Sequence, residues 1–491
     1  MPTVDWFKKW SLYSADKVAI KCADSGETLT YRELHNRGEK LACYLAAEKG
    51  LQAGDRIAVL AEFDLPYFLL FAALQKMGFI LVPVNYRLAP REIAYMLKDS
   101  KPALFFFEEK FRDAASKAAR EAEVESFEWS VLTEWSQAES ADLSVSEPCF
   151  EDPAFILYTS GSTGFPKGAL YTHKMMFWNS VNTALRLNVT EHDHTLMVMP
   201  PFHTGGWNVL TTPFLHFGAS ITLLPKFDAD RVLHLLEEEG STLFMAVPTM
   251  VRMLSDSPVF DKVKLDKLRY FIVGGEALPI PLIETWAEKE VLIRQGYGLT
   301  EVGTNVTSLA AEDAIRKQGS IGFPNFYLET RLVKEDGSDA AVNEIGELWL
   351  KGPVVTPGYW QNEEGTRKSF EGEWFKTGDL LRKDDEGYLY VVDRIKNMFI
   401  SGGENVFPAE IEKYMITHPA IREVAVIGVP DERWGEVGKA VIASDAALTP
   451  AELKTFCEKG LAKFKVPKHF ELMKELPKTD SGKIDKRALE K

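Results

Sequence analysis

The sequence predicts an α/β protein: a large N-terminal domain of doubly wound βα layers, with a small β-rich subdomain, followed by a small α+β C-terminal domain. Three observations predict it. Between Gly26 and Glu108 helical and strand patterns alternate regularly, as they do when helices cross over a parallel sheet. From Thr195 to Tyr297 short apolar runs recur, several closed by Pro or Gly. After Gly322 the pattern changes to short strands separated by hairpin turns. At 491 residues the chain exceeds a single core and implies roughly two to four structural units.

In chain order, residues 28–44 open an amphipathic helix, and Gly54-Asp55 introduces a strand over 56–60. An apolar helix over 65–77 leads to a strand over 80–84, and a helix over 91–97 precedes a strand over 103–107. The acidic interval 136–152 reads as a surface connection. Strands follow over 195–199, 220–224, 243–247 and 293–295, with the segment 270–278 before the last. The β-rich part, about 322–392, holds strands over 329–333 and 346–350 around Asp336-Gly337, then 387–392. A helix over 409–417 and compact βα units complete the chain.

Hydrophobic content of 45% with 26% charged residues is that of a globular protein in water. Met1 to Trp10 lacks the apolar core and cleavage site of a secretory signal, so a cytoplasmic location is expected. The most membrane-like run, 67–84, is broken by Gln75 and Lys76 and reads as a buried helix and strand, so no integral membrane segment is expected. Cys22, Cys43, Cys149 and Cys457 have neither disulfide nor zinc spacing and read as small apolar fillers. A net charge of −15 disfavours nucleic acid and anionic membranes, so an anionic ligand requires a local basic pocket. Residues 459–491 carry ten Lys and Arg against five Asp and Glu.

One loop stands out chemically: Thr159, Ser160, Gly161, Ser162, Thr163 and Gly164, followed by Phe165-Pro166-Lys167. Glycines let backbone N–H groups converge on an oxyanion, hydroxyls add donors, and a lysine adds charge. The Walker spacing fails, because Phe165 and Pro166 separate Lys167 from Gly164. A Ser/Gly linker has the same composition, and the loop alone does not separate the two. Strand ends supply further candidates, since ligands of open α/β sheets bind there. Gly296-Tyr297-Gly298-Leu299-Thr300-Glu301 offers a ring for stacking, a hydroxyl for phosphate and a carboxylate for Mg²⁺. His203 ends another strand.

Six segments occur in order: YTSGSTGFPKG, GGEAL, GYGLTE, TGD, DRIKNMFISGGENVFPAEIE and PKTDSGKI. Together they resemble the adenylate-forming (AMP-binding) superfamily over nearly the whole chain, and the long fifth motif with VIGVPDERWGE most resembles its fatty-acid and aryl-acid CoA ligases. The resemblance implies a reaction in two halves. A carboxylate attacks the α-phosphorus of Mg·ATP to give an acyl-adenylate and pyrophosphate, and a thiol then displaces AMP. It implies ATP, Mg²⁺ and coenzyme A as cofactor and co-substrates.

By this resemblance Thr159 to Lys167 closes over the β- and γ-phosphates. Gly275, Glu276 and Ala277, with Gln295, Gly296, Tyr297, Gly298 and Thr300, form the adenine and α-phosphate site, and Glu301 is the metal ligand. Asp379 accepts the ribose hydroxyls, Arg394 assists, and Lys483 bridges acid and α-phosphate. His203, Trp207, Gly298 and Gly303 fall to the acid pocket; Lys226, Gly402 and Gly403 fall to CoA. The N-terminal domain is expected over 1–394 and a mobile C-terminal domain over 395–491, with its hinge at Lys396. Glu276 departs from the CoA ligases, which carry a small residue there, and resembles peptide-synthetase adenylation domains.

The leading expectation is an acid–CoA ligase for a medium or long fatty acid, because residues 201–207 and 303–305 offer an apolar, charge-free lining. An aryl-acid or succinylbenzoate-type CoA ligase is the alternative, as is a free-standing enzyme loading a carrier protein. A regulatory nucleotide-binding protein with a decayed site is opposed by the presence of Lys167, Glu301, Asp379, Arg394 and Lys483. Monomer and homodimer both stay open.

Overall fold

The computed structural model describes residues 3–139, 147–159, 166–275, 278–444, 446–479 and 483–490. The expected layers are two sheets. One has six strands in the order Ser126–Glu128, Leu104–Phe107, Arg56–Leu60, Ile80–Pro83, Pro153–Thr159 and Lys167–Thr172. Every neighbouring pair is parallel except the last, so the order steps outward in both directions from the Arg56–Leu60 and Ile80–Pro83 pair, as a doubly wound sheet does.

The second sheet has nine strands and takes its parallel centre from His194–Met197, Ser220–Leu223, Leu243–Ala246, Tyr270–Val273 and Leu292–Tyr297. A strand that local pattern did not announce, Val18–Cys22, pairs with Ser220–Leu223. Its partner lies far along the chain, and periodicity carries no such information. Thr159 ends a strand of the first sheet and Tyr297 a strand of the second, and Gly275 lies two residues past the end of Tyr270–Val273.

The helices form for local reasons. Tyr31–Lys49 starts at a reciprocal cap in which the Glu33 amide donates to the Thr30 hydroxyl (3.2 Å) and the Thr30 amide donates to the Glu33 carboxylate (2.7 Å). It ends at Gly50 in the left-handed region. Its Gly38 crosses the apolar helix Leu65–Met77, where an added Cβ would lie 2.6 Å from the Ala72 methyl. Within that apolar helix Lys76, 6% exposed, pairs with Asp5 at 2.9 Å and lies 2.8 Å from His35 Nδ1. The charge that argued against a membrane span is neutralised inside the fold by the N-terminus. Among the described residues no helix is long and apolar enough to cross a membrane.

The β-rich subdomain is a five-stranded sheet of Glu329–Val333, Ile345–Lys351, Phe370–Glu371, Trp374–Lys383 and Leu389–Arg394. The C-terminal domain corrects one expectation. Its centre is a long antiparallel hairpin, Ile421–Asp431 with Gly435–Ser444, rather than successive βα units. The Asp431 carboxylate accepts the Arg433 and Trp434 amides (3.0 Å each), and Gly435 takes φ 77°, which turns the chain back at once. A single βα step then adds His469–Met473 parallel to Gly435–Ser444. Four lysines of the basic C-terminal segment are paired within this domain: Lys465 with Glu410, Lys468 with Asp431, Lys478 with Glu423 and Lys486 with Glu412. Cys22, Cys43 and Cys457 are buried fillers, whereas Cys149 is exposed.

Three histidines outside the site are held neutral by burial. His173 and His194 are pushed down to about 4, and His216, stacked on Trp6 at 4.2 Å, to about 3. Unfolding lets them take protons near the ordinary value of 6.5, so the unfolded chain binds more protons between about 4 and 6.5, and stability falls as pH drops through that window. Thermal unfolding midpoints should therefore decline below pH 6.5. His216→Phe, which keeps the stack on Trp6, should flatten that slope; an unchanged slope would contradict the assignment.

Candidate active site

The return strand Lys167–Thr172 is the edge of the six-stranded sheet, and the segment 356–360 is laid along it. Leu170 N donates to Gly358 O (3.0 Å), Trp360 N to Gly168 O (2.7 Å), and the Thr356 hydroxyl to Leu170 O (2.7 Å). On its other side Thr356 N donates to Glu301 O at 2.8 Å. This backbone seam fixes the short helical turn Thr300–Val302 close to Thr159. Thr159, paired in register with Lys167, then lies 3.5 Å from a Glu301 carboxylate oxygen through its hydroxyl.

Glu301 is 8% exposed, and burial raises its carboxyl above the usual range, with the Tyr359 phenol and the Arg394 charge partly opposing this. Its carboxylate accepts from the Tyr359 hydroxyl at 3.0 Å. A carboxylate has about four lone-pair directions, so acceptor capacity is left for a cation. The Lys167 ammonium lies 5.3 Å from the centre of the Tyr359 ring.

Asp379, 3% exposed, accepts from the Tyr297 hydroxyl (2.5 Å) and from Arg394 Nε (2.9 Å). Asp379 and Arg394 face each other on paired strands of the β-rich sheet. Tyr297, expected to stack on a base, visibly holds this carboxylate by its hydroxyl. Gln295 Oε1 accepts the Leu278 amide at 3.1 Å, while its buried Nε2 has no partner among the described residues. Gly298 packs directly on the Thr304 carbonyl, which a Cβ would meet at 1.8 Å. Gly275 has φ 89°, and its carbonyl accepts from the Lys483 ammonium at 2.9 Å. A lysine of the C-terminal domain is thereby placed at a strand end of the N-terminal one.

The charge of the same lysine reaches His203. Burial, then the Lys483 and Arg87 charges, push its imidazole down to about 4, and its buried Nε2 has no hydrogen-bond partner among the described residues. Lys396 lies in the turn Ile395–Asn397, where burial lowers its ammonium and Arg394, Arg487 and Lys483 add repulsion. Asp393 anchors that turn, accepting from Arg394 N (2.7 Å), Asn397 Nδ2 (3.1 Å) and Ala409 N (2.8 Å).

Residues 7–360 match the AMP-binding enzyme family and 410–483 its C-terminal domain. The chain belongs to the AMP-binding enzymes. It is 35% identical over 473 residues to a long-chain-fatty-acid–CoA ligase of Mycobacterium tuberculosis, covering 94% of this chain and 92% of that one. It is 37% identical over 463 residues to a feruloyl-CoA synthase of Amycolatopsis, covering 94% and 93%. The structure of o-succinylbenzoate CoA synthetase from Bacillus subtilis, in complex with its acyl-adenylate intermediate, superposes with a TM-score of 0.90 at 30% identity over 99% of this chain and 98% of that one. The chain is thus an acid–thiol ligase of the acyl-CoA synthetase branch.

The remaining expected residues divide. Ser160, Gly161, Ser162, Thr163, Gly164, Glu276 and Ala277 lie outside the described residues. Gly402 and Gly403 form the exposed turn of a hairpin in the C-terminal domain, Gly402 packed on Trp434, and Lys226 is exposed after the strand Ser220–Leu223. Trp207 is a correction: it is 0% exposed, its indole N–H donates to Pro201 O (3.0 Å), and it packs among Phe63, Phe68, Phe71 and Phe155. It serves the core and offers no surface to a pocket. Asn305 likewise is no apolar lining; its buried amide donates to Thr183 Oγ1 (2.5 Å) and to Asn208 O (3.2 Å). Sequence reading missed Thr356, Tyr359 and Asp393. The run Thr356-Pro357-Gly358-Tyr359 carried a signal, a Gly beside an aromatic in a turn, but its partners are distant in sequence.

Gly298→Ala should weaken AMP binding at least about tenfold, because the new methyl meets a carbonyl and not a flexible side chain. Gly296→Ala, whose Cβ would stand 3.4 Å from Thr307 O, should cost less. Calorimetric titration with AMP checks both; equal affinities for the two variants would contradict this geometry.

Proposed function

We propose that the chain is an ATP-dependent acid–CoA ligase acting on a medium- or long-chain fatty acid. It forms an acyl-adenylate and pyrophosphate, then an acyl-CoA and AMP. The single observation that carries this reading is the Lys483 ammonium on the Gly275 carbonyl, 2.9 Å away. A positive charge held there is placed between an acid arriving past His203 and a phosphate held at Gly275, where it offsets charge in the transition state.

The other groups support it. Thr159 and Lys167 would hold the terminal phosphates, Asp379 and Arg394 the ribose, and Gln295 Nε2 supplies an unspent buried donor near the base. Arg394, Lys396, Lys483 and Arg487 crowd together in a chain of net charge −15, which is the local basic pocket a polyphosphate needs. Glu301 would hold Mg²⁺, whose habit is one or two carboxylates with the rest of its ligands from phosphates and water; when bound, the ion supplies neutralisation of phosphate charge. Neutral His203 cannot compete with Lys483 for the substrate carboxylate as a second cation would. The Met199 and Met245 methyls close on Gly205 (3.7 and 3.5 Å from its virtual Cβ), a flexible apolar wall that suits an alkyl chain.

The domain boundary proposed here falls between Arg394, the end of the β-rich sheet, and Ile395, with Lys396 as pivot. Rotation there would withdraw Lys483 and bring Gly402 and Gly403 toward the thiol. An aryl acid is the second reading, favoured by the identity to the feruloyl-CoA synthase.

Acid-dependent ATP–pyrophosphate exchange with dodecanoate, ferulate and 2-succinylbenzoate, repeated with CoA and followed for thioester, tests this. Exchange and thioester with dodecanoate are expected. Preference for ferulate would select the second reading, exchange without any CoA product would point to a carrier thiol, and no exchange with any acid would contradict the reaction.

A further inference from the structure

We infer that Tyr359 is a positioning residue that orders two groups of the phosphate site at once: the Glu301 carboxylate, through its hydroxyl, and the Lys167 ammonium, through its ring. The inference rests on the reading of Glu301 as the cation ligand and Lys167 as a phosphate contact. It goes beyond that reading in naming what aims them.

The geometry makes Tyr359 the meeting point. Its phenol donates to Glu301 Oε1 at 3.0 Å, and Lys167 Nζ lies 5.3 Å from its ring centre. Its own backbone is pinned from both sides: its amide donates to Thr366 Oγ1 (2.9 Å), and it bridges Ala169 of the return strand. The neighbouring residue Trp360 is locked by Gly168 O at 2.7 Å and by Asp99 O through its indole at 3.1 Å. A side chain on so fixed a backbone has little freedom to lose, which is what a partner that orients a metal ligand requires.

Chemistry assigns the two halves separate tasks. A buried carboxylate with no donor would rotate or take up a proton; a phenol O–H on one oxygen leaves the other oxygen and the remaining lone pairs of the first directed at the cation. An aromatic face holds an ammonium by electrostatics without consuming an N–H, so Lys167 keeps all three donors for phosphate oxygens. Ring and hydroxyl can therefore be removed one at a time.

The test is Mn²⁺ binding, followed by electron paramagnetic resonance, in the presence of a non-hydrolysable ATP analogue with a methylene between its α- and β-phosphorus. It compares the full chain with Tyr359→Phe, Tyr359→Leu and Glu301→Gln; thermal unfolding and metal-free binding of the analogue are measured alongside. Tyr359→Phe is expected to weaken Mn²⁺ about tenfold while metal-free analogue binding stays within about twofold. Its pyrophosphate exchange should recover at saturating Mg²⁺. Tyr359→Leu should in addition weaken the metal-free analogue, because Lys167 loses its platform. Mn²⁺ affinity unchanged in Tyr359→Phe but reduced in Glu301→Gln would overturn this inference alone. Unchanged affinity in Glu301→Gln would remove the metal assignment and the inference with it. An equal loss of metal-free analogue binding in Tyr359→Phe would mark a merely structural role and also overturn it.

Discussion

One hydrogen bond across two domains, Lys483 Nζ to the Gly275 carbonyl, organises what this site can do. The lysine belongs to a domain with its own sheet and core, and its position among the strand ends of the other domain exists only while the two are docked in this way. The glycine has φ 89°, a conformation that side-chain-bearing residues avoid, so its carbonyl is presented by backbone shape and not by a side chain. On the proposed reading, Lys483 is a charge that arrives with its domain and would leave with it. That would let two chemically different half-reactions run in one cleft.

The rest of the site is held by bonds within one domain or across its linker. The seam 356–360 ties the edge of the six-stranded sheet to the turn bearing Glu301. Paired strands oppose Asp379 to Arg394, and the Asn305 amide fastens the far side of the same turn to the segment after His203. Asp393 gives the linker a defined shape by bonding three donors across it. Charge follows the same division. Lys465, Lys478 and Lys486 are paired inside their own domain, while Arg394, Arg487 and Lys483 repel the Lys396 ammonium and Asp379 attracts it. Anionic ligand binding would relieve that repulsion.

How much of this was legible in the sequence follows from the range of the interactions. Elements whose pattern is local were read closely: Arg56–Leu60 and Leu65–Met77 have the expected bounds, because a dense apolar run needs no distant partner to be read. The strand Val18–Cys22 was not read, since its only sheet neighbours are Ser220–Leu223 and the short Thr28–Thr30. Side-chain roles followed the same rule. Lys483 meets Gly275, and Glu301 lies beside Thr159, although 142 residues separate those two. Trp207 went astray because an aromatic next to a glycine pair looks identical whether it faces a pocket or a core. Tyr359 was invisible because its function lies wholly in partners from two other segments.

The central claim is that Lys483 serves adenylation and not the thiol step, and the most direct measurement separates the two in one variant. Purified Lys483→Ala is assayed for acyl-adenylate formation from acid and ATP, and separately for thioester formation from supplied acyl-adenylate and CoA. The account predicts loss of the first by at least about a hundredfold, in line with the removal of one charge-stabilising group, with the second retained. Loss of both steps in equal measure, or of neither, would contradict it.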